Sequence, residues 1–439
     1  AEAEQRLPEI RALGFDVVYL TPIHPIGRVN RKGRNNATVS TPDDPGSFYA
    51  VGSVEGGHTA IHPALGTIAD FRHFVAAAKA LDMEVALDFA VQCAPDHPWL
   101  AEHPDWFIRR PDGSIKYAEN PPKKYEDIVN VDFDGADAAA LWEVLRAVVL
   151  FWIEQGVTIF RVDNPHTKPL PFWSWLIETV QAAHPEVIFL SEAFTRPKVM
   201  RTLAKAGFSQ SYTYFTWRND KAALIAYMTE LAEDWPHEYL RPNFFPSTPD
   251  ILPPILQTGG RPAFVTRFVL AATLGGVYGI YNGFELCEAA ALPGREEYAD
   301  SEKYEYKVRD WDAPGNIKNL IARVNRIRRE NSALHHFKNL RFYPADSDQV
   351  LFYGKISPDR TNAVFVAVNL DPHQLHETYI DMPLDALGLP PDRPFELDDL
   401  LLGHSWPWTG RRQHLRLDPA SNPVAIFRVR DLEPARLRP

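Results

Sequence analysis

The stretch VTIFRVDNPHTKP, Val157 to Pro169, decides how the chain is read. Its first four residues are apolar and β-branched or aromatic, the composition of a buried strand. Residues i and i+2 of a strand point to the same face, so Arg161 and Asp163 project together where that strand ends. An arginine beside a carboxylate keeps the carboxylate ionised. An ionised, oriented carboxylate at the C-terminal end of a strand has the form of a nucleophile. It also has the form of an ordinary buried ion pair, and the stretch alone does not separate the two.

Working outward, strand-like runs alternate with helical ones. DVVYL (16–20), EVALDFA (84–90), VTIFRV (157–162), EVIFLS (186–191), SYTYFTW (211–217), PNFFP (242–246) and GVYGIYN (276–282) read as strands. DFRHFVAAAKAL (70–81), ADAAALWEVLRAVVLFWIEQG (136–156) and PFWSWLIETVQAAH (171–184) carry apolar residues at helical spacing. Such alternation predicts a parallel sheet with helical crossovers. Seven strands, with a helix over Ala1 to Gly14 ahead of the first, fit an α/β fold of the (β/α)₈ TIM-barrel type whose first strand lies upstream of Ala1. A doubly wound open sheet is the alternative, but the first strand–helix junction has no GxGxxG.

Two segments break the repeat. Residues 92–135 are rich in Pro, Asp and aromatics and far longer than the usual 2–6 residue connection, which predicts an inserted subdomain after the third barrel strand. After the helix at 317–331, short alternating runs appear: LRFYPA, QVLFYGKI, NAVFVAVNL, HETYIDM, FELDDLL and AIFRVRD. They predict an all-β sandwich. The expected division is a barrel over 1–91 and 136–333, an insertion over 92–135, and a C-terminal β-sandwich over 334–439.

Composition narrows the function. Of 439 residues, 45% are hydrophobic and 23% charged, enough for a sizeable core. A net charge of −11 excludes a nucleic-acid partner gripped through its phosphates. No apolar run approaches the roughly 18 residues that a membrane span needs. The two cysteines, Cys93 and Cys287, predict a reducing, cytoplasmic compartment, and neither has the spacing of a zinc site. His24, His58 and His62 lie scattered in loops without HExxH spacing, so no metal is assigned.

In a TIM barrel, side chains at the C-terminal ends of the strands build the active site. ALDFA brings Asp88 there, FRVDN Asp163, FLSEAF Glu192 and NFFPSTPD Asp250. Clustered carboxylates repel, so one tends to hold a proton while another stays ionised. That is the acid and nucleophile pair of retaining glycosyl transfer.

LDFAVQC, FRVDNPHTKP, FLSEAF and NFFPSTPD resemble the four signature regions of the α-amylase superfamily. TPIHPIGRVNRKGRNN (21–36), GSVEGGHTAIHP (52–63), YAENPPKKYEDI (117–128), YNGFELCE (281–288) and SEKYEYKVRDWD (301–312) resemble one family within it, the α-1,4-glucan:maltose-1-phosphate maltosyltransferases. Where amylases usually carry Asn-His this chain has Gln92-Cys93, and Pro249 stands where their last catalytic Asp is preceded by His. Both departures match the narrower family and count against starch hydrolysis and a calcium site. The resemblance implies Asp163 as nucleophile, Glu192 as general acid/base, Asp250 as a holder of ring hydroxyls, and Arg161 as the group that keeps Asp163 charged. It implies an α-maltose 1-phosphate donor, an α-1,4-glucan acceptor, a homodimer in the full-length family, and no metal or organic cofactor. An α-glucan hydrolase and an inactive amylase-like binding module are the rival expectations.

A phosphate dianion entering a pocket of carboxylates needs cations and donors nearby. NPPKKY supplies Asn120, Lys123, Lys124 and Tyr125, though such a run is ordinarily a solvated loop. In the resembling family the Asn, the first Lys and the Tyr face the phosphate, and Asn164 joins them. By the same resemblance Lys32, Gln92, Lys303 and Tyr304 bind the maltosyl unit. His166 and Lys168 are candidates for acceptor subsites, and Asp88 for structural support beneath the nucleophile. Trp99, Trp106 and Trp311 are candidates for glucan stacking, with core packing the ordinary role.

Overall fold

The computed structural model describes residues 2–120, 123–430 and 432, with the side chains of Asn120 and Lys123 outside that description. The chain forms two compact units, one of Ala1–Tyr212 with Ala299–Val308, the other of Thr213–Tyr298 with Arg309–Pro439.

In the first unit the strands are β1 (Val17–Leu20), β2 (Glu84–Phe89), β3 (Tyr117–Asn120), β4 (Lys123–Val129), β5 (Ile159–Asp163), β6 (Ile188–Glu192) and β7 (Gln210–Tyr212). β1, β2, β5, β6 and β7 lie side by side in that order, all parallel. Helices Ile68–Ala80, Ala138–Glu154, Leu170–Ala183 and Pro197–Lys205 lie between them in sequence. The helix from Ile68 starts where Thr67 and Asp70 cap each other's backbone amides, and it buries Phe71, Phe74, Val75 and Ala78. β5 is buried along its whole length, the mark of a parallel strand covered on both faces. Phe160, Phe189, Trp152, Phe172 and Trp173 fill the core that results.

Two expectations need correction here. The single helix predicted at the N-terminus is two short ones, Glu2–Gln5 and Leu7–Ala12, with Pro8 in the first turn of the second, where a missing N–H costs nothing. The predicted KKY loop is a strand: β4 pairs antiparallel with β3, Ala118 opposite Tyr125 and Glu119 opposite Lys124. Pro121 and Pro122 lie outside the described residues.

In the second unit β8 (Pro242–Phe244) and β9 (Val277–Tyr278) pair in parallel. Between them in sequence runs the helix Gly260–Leu274, buried on every side. The run read as a strand over 211–217 ends early. Tyr214–Trp217 is a 3₁₀ turn, because the Thr213 hydroxyl accepts the Phe215 amide and starts a helical turn.

After the helix Lys318–Glu330 come β10 (Leu340–Tyr343), β11 (Val350–Ile356), β12 (Ala363–Asn369), β13 (His376–Asp381), β14 (Pro394–Asp399), β15 (His404–Thr409), β16 (Arg412–Leu417) and β17 (Val424–Val429). Six form an antiparallel sheet in the order β10-β11-β12-β17-β14-β15, and β13 pairs with β16. Ile380 and Leu417 of that pair share a core with Phe352, Phe365, Leu397 and Phe427 of the larger sheet. Among the described residues no helix is long and apolar enough to cross a membrane.

Candidate active site

Strand register assembles the first unit's acids. β2 and β5 pair with Asp88 beside Arg161, and β5 and β6 pair with Asp163 beside Glu192. Arg161, 2% exposed, is the hub. Its Nη1 donates to Asp88 Oδ2 and to Asp163 Oδ1, each at 2.9 Å, and its Nη2 lies 3.2 Å from Glu192 Oε1. Burial would strip the guanidinium of its proton, but Asp88 and Glu192 outweigh it and push its pKa well up. The residue after Asp163 turns the chain sharply. Asn164 adopts φ 43°, ψ 53°, a left-handed conformation that Asn tolerates better than most residues. That turn aims its amide at Glu192 Oε2 (3.1 Å) and its Nδ2 at Asp163 Oδ2 (3.3 Å).

Beneath this group, Tyr19 at the end of β1 donates to Asp88. Burial pushes Asp88 up to about 7, against the pull of Arg161 and with the repulsion of Asp163 added. The Arg161 ion pair alone would pull Asp88 the other way. The upward direction holds because one guanidinium cannot neutralise three buried carboxylates. Tyr212, with its ring 5.8 Å from the guanidinium, is likewise raised by burial, to about 12. Lys168 reaches toward the Asn164 carbonyl (3.5 Å), and burial lowers its pKa although Asp163 and Glu192 oppose the shift. His166 is half-buried and lowered, again by burial first.

A second cluster gathers most of the predicted donor-subsite residues. Lys303 Nζ sits over three tyrosine rings, 5.0 Å from the centroid of Tyr49, 5.7 Å from Tyr304 and 6.0 Å from Tyr125. Gln92 Nε2 donates to the Tyr49 carbonyl at 3.1 Å. Lys32, buried, is paired with Glu126, whose carboxyl that hydrogen bond holds below its usual range. The first unit thus brings together Lys32, Gln92, Tyr125, Lys303 and Tyr304, and separately Arg161, Asp163, Asn164 and Glu192. Asp250 belongs to the second unit, in the turn after β8, where its amide donates to Thr248 Oγ1 at 3.3 Å. The expected phosphate-facing side chains of Asn120 and Lys123 fall outside the described residues. Sequence reasoning missed Tyr19, Tyr49, Glu126 and Tyr212. Only Glu126, inside YEDI, carried a signal: an acid in a segment already singled out for its cations.

The histidines pack as a buried stack. His58 and His97 contact through Nδ1 and Nε2 (3.2 Å), His58 Nε2 meets the Ala90 carbonyl (3.0 Å), and Trp99 lies flat on His58. With Cys93 these histidines place ligand atoms within 4.8 Å of one another, a set that could be taken for a metal site. Hydrogen bonding argues otherwise. His97 Nδ1 accepts the Trp99 amide (3.1 Å), so the neutral ring keeps its proton on Nε2 and donates it to His58. No lone pair on that nitrogen is left for a cation. His62 caps a 3₁₀ turn through the Ala64 amide. Trp106 is buried and stacked on His103, and Trp99 is partly buried, so both serve packing. Trp311, in the second unit, lies beside the Arg309 guanidinium.

A family model described as "GLGE, C-terminal" matches residues 342–429. An α-1,4-glucan:maltose-1-phosphate maltosyltransferase of Rhodospirillum rubrum is 63% identical over 429 residues, 98% of this chain and 62% of that protein. One from Pseudomonas aeruginosa is 59% identical over 98% of this chain and 65% of its own length. The chain thus spans a little under two thirds of these relatives. Among solved structures, a maltogenic α-amylase of Thermotoga neapolitana superposes with a TM-score of 0.75 at 19% identity, over 98% of this chain and 93% of that one. An α-amylase of Lactobacillus plantarum gives 0.73 at 20% identity, over 97% and 94%. The fold is therefore the α-amylase one, a (β/α)₈ barrel followed by a C-terminal β domain.

Proposed function

We propose that the chain belongs with the α-1,4-glucan:maltose-1-phosphate maltosyltransferases, to which it is 59–63% identical, and that it extends α-1,4-glucans by maltosyl units taken from α-maltose 1-phosphate. An Asp163 carboxylate oxygen attacks the anomeric carbon as the bond from that carbon to the phosphate oxygen breaks. Glu192 assists the departing phosphate. It then takes the proton of the acceptor's 4-hydroxyl as that oxygen displaces Asp163. Two displacements retain the configuration. Asp250 holds ring hydroxyls while positive charge develops. Asn120, Lys123, Tyr125 and Asn164 face the phosphate, and Lys32, Gln92, Lys303 and Tyr304 hold the maltosyl unit. No metal or organic cofactor enters these steps.

The observation that carries this reading is the single buried guanidinium holding Asp163 and Glu192 on neighbouring strand ends. It fixes both carboxylates in place before any sugar arrives, which is how an enzyme supplies charge stabilisation without reorganising. We propose in addition the division of the chain into barrel (1–91 and 136–333), insertion (92–135) and C-terminal β-sandwich (334–439), a homodimer for the full-length family, and a cytoplasmic setting. The last is supported by two cysteines that stand free among the described residues.

The test is incubation with α-maltose 1-phosphate and a short maltooligosaccharide. The expected products are free phosphate and glucans longer by two glucose units, both lost in Asp163→Ala by a factor of at least about 10³. Release of maltose or glucose from the oligosaccharide without phosphate would instead mark a hydrolase.

A further inference from the structure

The loop that carries Lys32 and the segment that carries Lys303 are far apart in sequence, yet both belong to the first unit and are clasped together. Asn35 Nδ2 donates to Asp300 Oδ1 at 3.1 Å, and the Asp300 amide donates back to Asn35 Oδ1 at 2.8 Å. Arg34 adds a bond from Nε to Asp300 Oδ1 at 3.0 Å, and the same nitrogen lies 2.7 Å from Glu305 Oε2 on that segment. Asn35, and then Arg34, hold the Asp300 carboxyl below its usual range, so it stays an acceptor. The backbone bends to allow this. Asn35, Asn36 and Asp300 adopt φ of 55°, 65° and 51°. Asn and Asp tolerate that left-handed region better than other side chains, and it persists only where the surroundings hold it.

The clasp adjoins both lysines. Lys32 stands three residues before Asn35. On the other side Ser301 follows Asp300. Its Oγ accepts the Lys303 amide at 3.2 Å and its carbonyl accepts the Tyr304 amide at 3.0 Å, so the turn that presents Lys303 and Tyr304 starts at the clasp. Both lysines are buried, and both act on one buried carboxylate, Asp127, against the upward push of its burial. Their ammonium groups therefore converge on one region. The side chains of Arg34 and Asp300, by contrast, are 60% and 50% exposed. An ion pair so exposed contributes little to stability. What the clasp does fix is where Lys32 and Lys303 stand relative to each other.

We propose that Asn35 and Asp300 are positioning residues, whose paired hydrogen bonds hold the Lys32 loop against the Lys303 segment so that both lysines are set for the sugar before it arrives. The role rests on the donor-subsite reading of those lysines. The test compares Asn35→Asp with the double variant that adds Asp300→Asn. Both positions keep residues that accept a left-handed backbone, so only the hydrogen bonding changes. The single variant sets two carboxylates face to face, and the double variant restores a donor opposite an acceptor. Calorimetric titration with maltose should show the single variant about 10-fold weaker and the double variant within about twofold of the parent. In phosphate release from α-maltose 1-phosphate, KM should rise by the same factor with kcat unchanged, and the urea midpoint should not move. A merely structural role would lower the midpoint, and kcat with it. That result, an unchanged maltose affinity in the single variant, or no recovery in the double variant overturns the inference. Lys303→Ala, titrated alongside, keeps the two readings apart. If it weakens maltose binding and Asn35→Asp does not, the donor subsites stand and the clasp falls. If it leaves maltose binding intact, both fall, as they do for a chain that binds no maltose. Maltose binding that follows the clasp in a chain that releases no phosphate sinks the transferase and keeps this inference.

Discussion

A guanidinium carries one positive charge, and Arg161 divides it among Asp88, Asp163 and Glu192. Arg161 and Asp163 were legible in the sequence because strand periodicity puts positions i and i+2 on one face. Tyr19 was not, since a tyrosine at a strand end looks the same whether it packs in a core or donates to an acid. Asp127 was hidden in the same way, because nothing local tells a buried carboxylate from a surface one. His24 and His58 were read as loop residues, and their burial, with that of His97, has a pH consequence. Burial lowers His24 to about 3, His58 to about 4 and His97 to about 2. Below pH 6.5 the unfolded chain therefore binds protons that the folded chain refuses. Their stabilising effect is fully present above that pH and is lost as pH falls toward 4. Each refused proton is worth about 1.4 kcal/mol per pH unit. Denaturation midpoints should drop steeply from pH 6.5 to 5, with a shallower slope in His58→Gln. A variant that falls with the parent's slope would contradict the neutral stack.

At the scale of elements, the same stack depends on the loop that carries Gly52. A Cβ there would lie 2.0 Å from His97 Cδ2, and φ is +99°, where side chains are strained in any case. Gly57 abuts the same ring, with a Cβ position 2.4 Å from His97 Nε2. Gly52→Ala should cost about 3 kcal/mol in equilibrium denaturation, whereas Gly113→Ala, with open space around its Cβ position, meets only the backbone term. Equal losses in the two would show that the ring is not what the loop packs on. Helices with an apolar stripe were legible, and the one without a stripe was not. The helix Gly260–Leu274 is buried all round, so no stripe marks it. β15 and β16 were passed over because Pro407 interrupts HSWPWT and RQHLRL is largely polar. The β13–β16 pair therefore went unseen, although HETYIDM itself was read as a strand.

At the scale of the whole chain, the two units are interleaved in sequence. The chain leaves the first unit after Tyr212, runs through Thr213–Tyr298, gives Ala299–Val308 back to the first, and leaves again at Arg309. No single cut separates them. This was illegible in the sequence, because SEKYEYKVRDWD stands as one continuous motif whereas the boundary between units falls inside it. A chain ending at Tyr212 keeps Asp163 and Glu192 but lacks Lys303 and Tyr304. It should lose maltose binding by at least about 10-fold relative to the whole chain. Retained affinity would remove the returned segment from the sugar site.

Synthesis on the ribosome adds residues in order, at roughly 5–20 per second in bacteria. The ends of β5 and β6, with Asp163 and Glu192, leave the exit tunnel long before Lys303, whose Nζ sits over Tyr49 and Tyr125. A nascent chain thus passes through several seconds in which Asp163 and Glu192 have been made but Lys303 has not, and the first unit is complete only once the ribosome has translated well past Tyr212.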